Sequence, residues 1–375
     1  MTSTCFLQIH TLASYTAALL NRDDTGLAKR LPFGGVLRTR ISSQCLKRHW
    51  RIIDDPHALD RINGATSAFR SRELVTQRVI NPLKNNFNEE IINIIENEFQ
   101  IAVYGKKGTT RTGRQTLLLG EPELKWLETE AKKLAEKANG DVKDASEFTE
   151  EWRNTYKENI KAMRQNTSLP AGLVSALFGR MVTSDTEANI SAPVHVAHAF
   201  TVHEEEPEND YFTAIDDLAG DDPGADTIQE TELTSGIFYG YVVVDLKGLL
   251  NNLGDDSGLA GKVLHNLIYL IGEVSPGAKL GSTAPYGRAS FMLLEAGGRQ
   301  PRSLSEAFRK ACKPDMGAAV DALTDHLTSL DDIYETGEER RFLSLDADLD
   351  VQSAERGSLS ELATWTQTLP KRLVE

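Results

Sequence analysis

With 375 residues and 40% hydrophobic side chains, the chain can bury a sizeable core without covalent staples. Its three cysteines, Cys5, Cys45 and Cys312, stand far apart without C-x-x-C spacing, which excludes a disulfide framework and a cysteine zinc site and fits a reducing cytoplasm. A formal net charge of −14 argues against indiscriminate adhesion to polyanions, and with no basic leader and no bilayer-length apolar run, neither export nor membrane insertion is expected.

In chain order, CFLQIHTLA (5–13) alternates apolar and polar residues and predicts an opening strand; VLRTRI (36–41), after Gly34 and Gly35, predicts a short second one. Ser42 and Ser43 have the character of a helix cap. Beyond them Leu46, Trp50 and Ile53 recur at i, i+4, i+7 with Lys47, Arg48 and Arg51 alongside, an apolar stripe bordered by cations. From about 66 to 181 the pattern is mostly helical, in stretches at 71–83, 88–105, 121–139, 145–166 and 170–181, and reads as an insertion. Strand character returns at 190–203 and 235–246. Between them the acidic segment 203–234, with Pro207, Pro223 and GDDPG, reads as a long turn-rich excursion. A helix over 258–274, the Gly/Pro-rich loop 275–287, a strand over 288–296 and short helices over 303–312 and 316–330 follow, with no internal repeat. This order fits a split βαβ sheet of the ferredoxin or RRM type, so the predicted class is α+β.

Charge is segregated. Residues 25–53 hold seven Lys or Arg and no carboxylate; residues 203–232 hold twelve carboxylates and no Lys or Arg. A helix N-terminus with hydroxyls at its cap and a cation one turn later holds a phosphate, and Ser42, Ser43, Gln44 and Lys47 supply those parts in order. Arg38 and Arg40, two apart on a strand, point to one face and extend the basic surface. An ordinary solvated face accounts for the same five cations equally well. Three weaker basic features accompany the block: the loop GKKGTTRTGR (105–114), the helix face Arg153, Lys157, Lys161 and Arg164, and Lys279 in its flexible loop.

Enzymatic motifs are lacking. His195, His198 and His203 fall in a strand-like segment where positions three apart face opposite ways, so packing explains them better than a metal. Asp23 with Asp24, and Asp216 with Asp217, fit turns or caps better than an ion site. No nucleophile elbow, Walker loop or Cys/His pair is present, and no cofactor or metal is expected. In DYFTAIDDL (210–218), Tyr211, Phe212 and Ile215 are costly to expose and must meet something: the protein's own core, or bases, at about 1–3 kcal/mol per stacked base.

The blocks LNRDD (20–24), FGG (33–35), RTRISSQCLKR (38–48), ALFGRMVTS (176–184), VAHAFTVH (196–203), DYFTAIDDL (210–218), SGIFYGYV (235–242) and EVSPGAK (273–279) together resemble the CasC family, the backbone subunit of type I-E CRISPR Cascade. The resemblance implies an RRM-like palm (1–60, 183–202 and 233–375, the last with C-terminal helices), a helical fingers insertion (61–182) and a projecting thumb hairpin (203–232). It implies a non-catalytic subunit whose partners are CRISPR guide RNA, target DNA through the RNA hybrid, further copies of itself, and the large, small, Cas five type and Cas six type Cascade subunits, with no membrane. By matching motif positions, Arg22, Lys29, Ser42, Gln44, Lys47 and Arg51 would touch the guide backbone. Met181, Tyr211, Phe212, Thr213 and Ile215 would lie against a displaced base and its neighbours, with Tyr211 standing where the family has tryptophan. Lys279 matches a basic loop position. Two rival readings remain: a metal-dependent ribonuclease of type III style using Asp23 or Asp24, and an adaptor that binds protein only.

Overall fold

The computed structural model describes residues 5–215 and 225–373, apart from the side chains of 213–215 and 225–229. The chain divides into two units, the first made of 1–58, 194–246 and 261–375, the second of 59–193 and 247–260.

The first unit opens with β1 (Phe6–Ala18), which is buried almost continuously from Leu7 to Leu12, polar Gln8, His10 and Thr11 included. Such a run marks a strand covered on both faces. β2 (Arg30–Phe33) and β3 (Val36–Ile41) form a hairpin through Gly34 and Gly35, both at positive φ as a two-residue primed turn requires. A Cβ on Gly34 would also stand 1.6 Å from the Arg309 carbonyl oxygen. α1 (Ser43–Ile52) follows directly, capped by Ser42 as its sequence predicts.

The second unit holds a small antiparallel pair, β4 (Ala68–Ser71) and β5 (Leu117–Gly120), with α2 (Glu89–Tyr104), α3 (Glu121–Ala138), α4 (Val142–Gln165) and α5 (Leu173–Phe178). Phe99 of α2 stacks on Trp152 of α4 at 3.8 Å in its core. The stretch 71–83 is not a regular helix. Its centre, Val75–Ile80, is a π-helical turn in which the Asn81 amide reaches back to Thr76.

The first unit resumes with β6 (Val194–Val196) and β7 (Ala199–Thr201), which break the predicted single strand at Ala197 and His198. Where the structure describes it, on either side of 216–224, the excursion is regular; Pro223 and GDDPG lie outside the described residues. β8 (Glu206–Ile215) pairs with β9 (Ala225–Asp245) from Glu206 opposite Ser235 to Ile215 opposite Ala225. Pro207 is tolerated because β8 has no other neighbour. β9 then continues unbroken to pair with β1. α6 (Leu246–Asn252), from Lys247 on, and the start of α7 (Ser257–Glu273) belong to the second unit; in the first, α8 (Leu280–Thr283), β10 (Ala289–Gly297), α9 (Met316–Tyr334), β11 (Glu339–Ser344), β12 (Ala354–Arg356) and α10 (Leu359–Thr368) follow.

Strand order is β12-β11-β10-β1-β9-β7-β3-β2, with β6 and β8 also on β9. Followed as β1, α1, β7, β9, α7, β10, the four central strands stand in the ferredoxin-like order fourth, first, third, second, each pair antiparallel. The predicted class, α+β with a ferredoxin-like sheet, a helical insertion and a β hairpin standing off the sheet, is the observed one. On one face Ala18, Ile41, Ala199 and Phe238 pack with Leu46 of α1. On the other, Leu12, Tyr239, Phe291 and Leu293 are covered by Phe308 and by Val320, Leu323 and Leu327 of α9. The sheet face on which an RRM would stack bases is therefore closed. Among the described residues no helix is long and apolar enough to cross a membrane.

Candidate nucleic-acid interface

The basic block is organised around Asn21. Its side chain accepts the Ser42 amide at 2.9 Å, and its carbonyl accepts the Lys29 amide at 2.9 Å; the Lys29 carbonyl in turn accepts the Arg40 amide at 2.7 Å. Arg22 bridges to Ala28, closing a loop. Inside that loop Asp23 Oδ1 accepts the Thr25 amide, the Thr25 hydroxyl and the Leu27 amide at 2.9, 2.7 and 3.1 Å. The Thr25 hydroxyl above all holds the Asp23 carboxyl below its usual range. This carboxylate serves the turn.

At the start of α1 the buried Ser42 hydroxyl accepts the Cys45 amide at 3.3 Å and keeps its own hydrogen to donate. The Ser43 amide is directed to His198 Nδ1 at 3.4 Å, and Arg40 Nη1 lies 3.2 Å from the same nitrogen. Partial burial, then Arg40, Lys29 and Lys47, push the His198 imidazole below its ordinary value. Gln44 and Arg22 are exposed; Lys29, Arg40, Lys47 and Arg51 are half-buried, and Lys47 and Arg51 have partners within the chain.

Arg38 is a correction. Expected on the basic surface, it is fully buried, its guanidinium donating to the carbonyls of Phe33, Thr201 and Phe308 at 3.3, 3.1 and 3.0 Å. The segment through Phe308 lies over it and turns it into an internal strut. The Lys279 ammonium donates to the Thr231 hydroxyl and lies 5.7 Å from the Phe212 ring centre. Tyr211 and Phe212 are 58% and 42% exposed on β8, and Met181 is 71% exposed on the second unit. The side chains of Thr213 and Ile215 lie outside the described residues, as do Asp216 and Asp217.

The weaker basic features are divided: Lys106, Lys107, Arg111 and Lys157 are exposed, while other cations pair within the chain. Arg153 pairs with Glu98, Lys161 with Glu187, and Arg164 with Glu123 and Asp185. In loop 105–114, Arg114 is buried, donating to the Gly108 carbonyl at 2.6 Å and pairing with Glu73. His203 is buried, holding the Glu204 carbonyl and the Ile237 amide, while His195 and His198 are exposed. Among the described residues no three His, Cys, Asp or Glu side chains are placed to hold a metal.

The model of the CT1975-like protein family matches residues 7–369. The chain belongs to the CT1975-like protein family. No curated protein matches it. Among solved structures it is similar to a chain of a CRISPR RNA-guided surveillance complex in a pre-nicking state, with 21% identity, TM-score 0.81, and 97% of this chain and 100% of that one covered. It is also similar to a chain of a second CRISPR RNA-guided surveillance complex, with 20% identity, TM-score 0.61, and 97% and 98% covered. At these identities the shared property is the fold.

In this CT1975-like chain the motif reading missed Asn21, Arg30 and His198. The sequence does carry a faint signal for His198, since it stands three residues before Thr201 in a block otherwise apolar. Nothing in it marks Asn21 as the staple between two segments twenty residues apart.

Proposed function

We propose that this chain is a non-catalytic backbone subunit of a CRISPR surveillance complex of the type I-E Cascade kind. It binds guide RNA, oligomerises along it beside the large, small, Cas five type and Cas six type subunits, and presents it for pairing with target DNA in antiviral defence. The observation that carries the reading is the arrangement at the start of α1, where Arg40 Nη1 and the Ser43 amide meet at His198 Nδ1 and Asn21 holds the Ser42 and Lys29 amides together, with Arg22, Gln44 and Lys47 next to them in the chain. Cations, a cap hydroxyl and a carboxamide grip ribose and phosphate without reading bases, which is what a guide holder needs when sequence is read by pairing. The closed sheet face agrees, because it leaves base edges unread. The surveillance-complex fold over nearly the whole chain supports the assembly.

The test is the affinity of the purified protein for single-stranded RNA as a function of salt. Each phosphate contact contributes about 0.7 to the slope of log K against log salt, so Arg22→Ala and Lys47→Ala should each lower the slope by about that amount. Unchanged slopes would remove the reading in favour of a protein-binding adaptor. Electron micrographs of the complex should show copies stacked along one RNA. Site-specific cleavage of complementary RNA with a divalent metal, abolished by Asp23→Ala or Asp24→Ala, would establish the ribonuclease instead.

A further inference from the structure

Two cations of the first unit are turned onto the β8–β9 ribbon from opposite faces. Arg30, on β2, lies between Glu205, in the link from β7 to β8, and Glu232, on β9 opposite Asn209. Its Nη2 donates to Glu232 at 2.7 Å and its Nε to Glu205. The three side chains are 26%, 5% and 14% exposed for Arg30, Glu232 and Glu205. The second Glu232 oxygen accepts the Ala28 amide at 3.0 Å, the Glu205 amide donates to the Leu37 carbonyl at 2.9 Å, and the Arg30 carbonyl accepts Arg40 Nε at 3.1 Å. Thr231 precedes Glu232 on the strand and so faces the other way, where Phe212 also points by register. That face is held by Lys279.

A two-stranded ribbon is marginal on its own and free to twist, and among the described residues β8 pairs with no strand but β9. Its angle to the sheet must come from contacts at its root. A guanidinium shared between two largely buried carboxylates is a directional contact of that kind. We infer that Arg30, with Lys279 on the opposite face, is a positioning residue: the pair grips the ribbon root and sets where Tyr211 and Phe212 stand, and neither side chain is spent on nucleic acid. The inference draws on the guide-binding reading only for what the ribbon does.

Hydrogen exchange on the full chain decides the grip. Arg30→Gln and Glu205→Gln should each speed exchange by about tenfold at Glu206–Asp210 and Glu230–Thr234, with β1 and β10 unchanged. Arg30→Lys, which keeps a cation between Glu205 and Glu232, should retain much of the protection that Arg30→Gln loses. In parallel, Arg30→Gln should weaken single-stranded RNA binding without changing its salt slope. Exchange unchanged in both single variants, or a slope lower by about 0.7 with the ribbon still protected, overturns the inference, the latter making Arg30 a phosphate ligand. If the chain binds no RNA at all, the guide reading fails while the exchange arm still decides the grip.

Discussion

His198 takes its charge state from its neighbours. Partial burial and then Arg40, Lys29 and Lys47 hold the imidazole below its ordinary value. A polyanion landing there cancels the cations' repulsion and raises the imidazole's proton affinity, so binding should take up a proton as pH falls. RNA affinity should therefore rise about three- to tenfold between pH 7.5 and 5.5, measured by fluorescence anisotropy at fixed salt, and His198→Gln should flatten that rise. Arg38, by contrast, belongs to stability. Arg38→Ala leaves three carbonyls without a donor in a dry space and should cost about 3–5 kcal/mol in urea unfolding, with the RNA salt slope unaltered. Strand alternation placed Arg38 correctly beside Arg40. It could not reveal the segment that covers one and spares the other, because that segment lies some 270 residues away in the chain.

Among the elements, β8 carries the exposed Tyr211, more than half of it in solvent. Tyr211→Ala should lower RNA affinity by about 1–3 kcal/mol and leave the melting temperature alone, whereas Tyr211→Trp keeps the stacking surface and should bind at least as well. In the second unit Glu123 begins α3 fully buried, holding Arg180 Nη1 at 2.6 Å, Arg164 Nε at 2.7 Å and the Gly120 amide at 3.0 Å. Glu123→Ala leaves the buried Arg180 guanidinium without a carboxylate and Arg164 with Asp185 alone, and should destabilise the protein by about 3–5 kcal/mol, read as an earlier thermal transition. Elements with clean apolar periodicity were legible in the sequence: α1, α2, α3, α4, α7 and α9. Those whose polar residues are satisfied at a distance were not. β11, ERRFLS, reads as a charged loop, yet Arg340 within it is buried against Glu295 and Asp331. β8 and the first half of β9 are acidic enough to pass for a loop, and their pairing emerges only once both strands lie side by side. The same limit applies to the site. The cap, Gln44 and Lys47 are adjacent in sequence and could be read together, while Asn21, Arg30 and His198 acquire meaning from partners brought in by folding.

For the molecule as a whole, the sheet face opposite α1 and α7 is sealed over a charged interior. Fully buried His10 donates from Nε2 to Glu295 at 3.0 Å and meets the Tyr239 hydroxyl through Nδ1 at 2.9 Å. Arg302 and Arg340 flank Glu295, and Asp331 and Glu338 stand behind them. Burial pushes the imidazole down, outweighing the carboxylate beside it; burial alone would push Glu295 up, but the bonds from His10 and Arg302 hold it well below the carboxylate range. The unfolded chain thus takes up a proton at His10 near pH 6.5 that the folded chain refuses. Stability should fall as pH drops through that value, and again below about 4.5 as Glu295 would protonate in the unfolded chain. Melting temperatures between pH 7.5 and 4 should show both losses, and His10→Gln should reduce the first by up to one proton's worth of slope.

β9 is one strand of 21 residues, with its first half in the ribbon and its second half between β1 and β7. At about 3.3 Å per residue it is a beam roughly 70 Å long, clamped along half its length. Such a beam has no joint. A load on its free half should flex and twist the strand like a cantilever spring, with the bending greatest where β1 first takes hold of it, at Thr234 to Gly236.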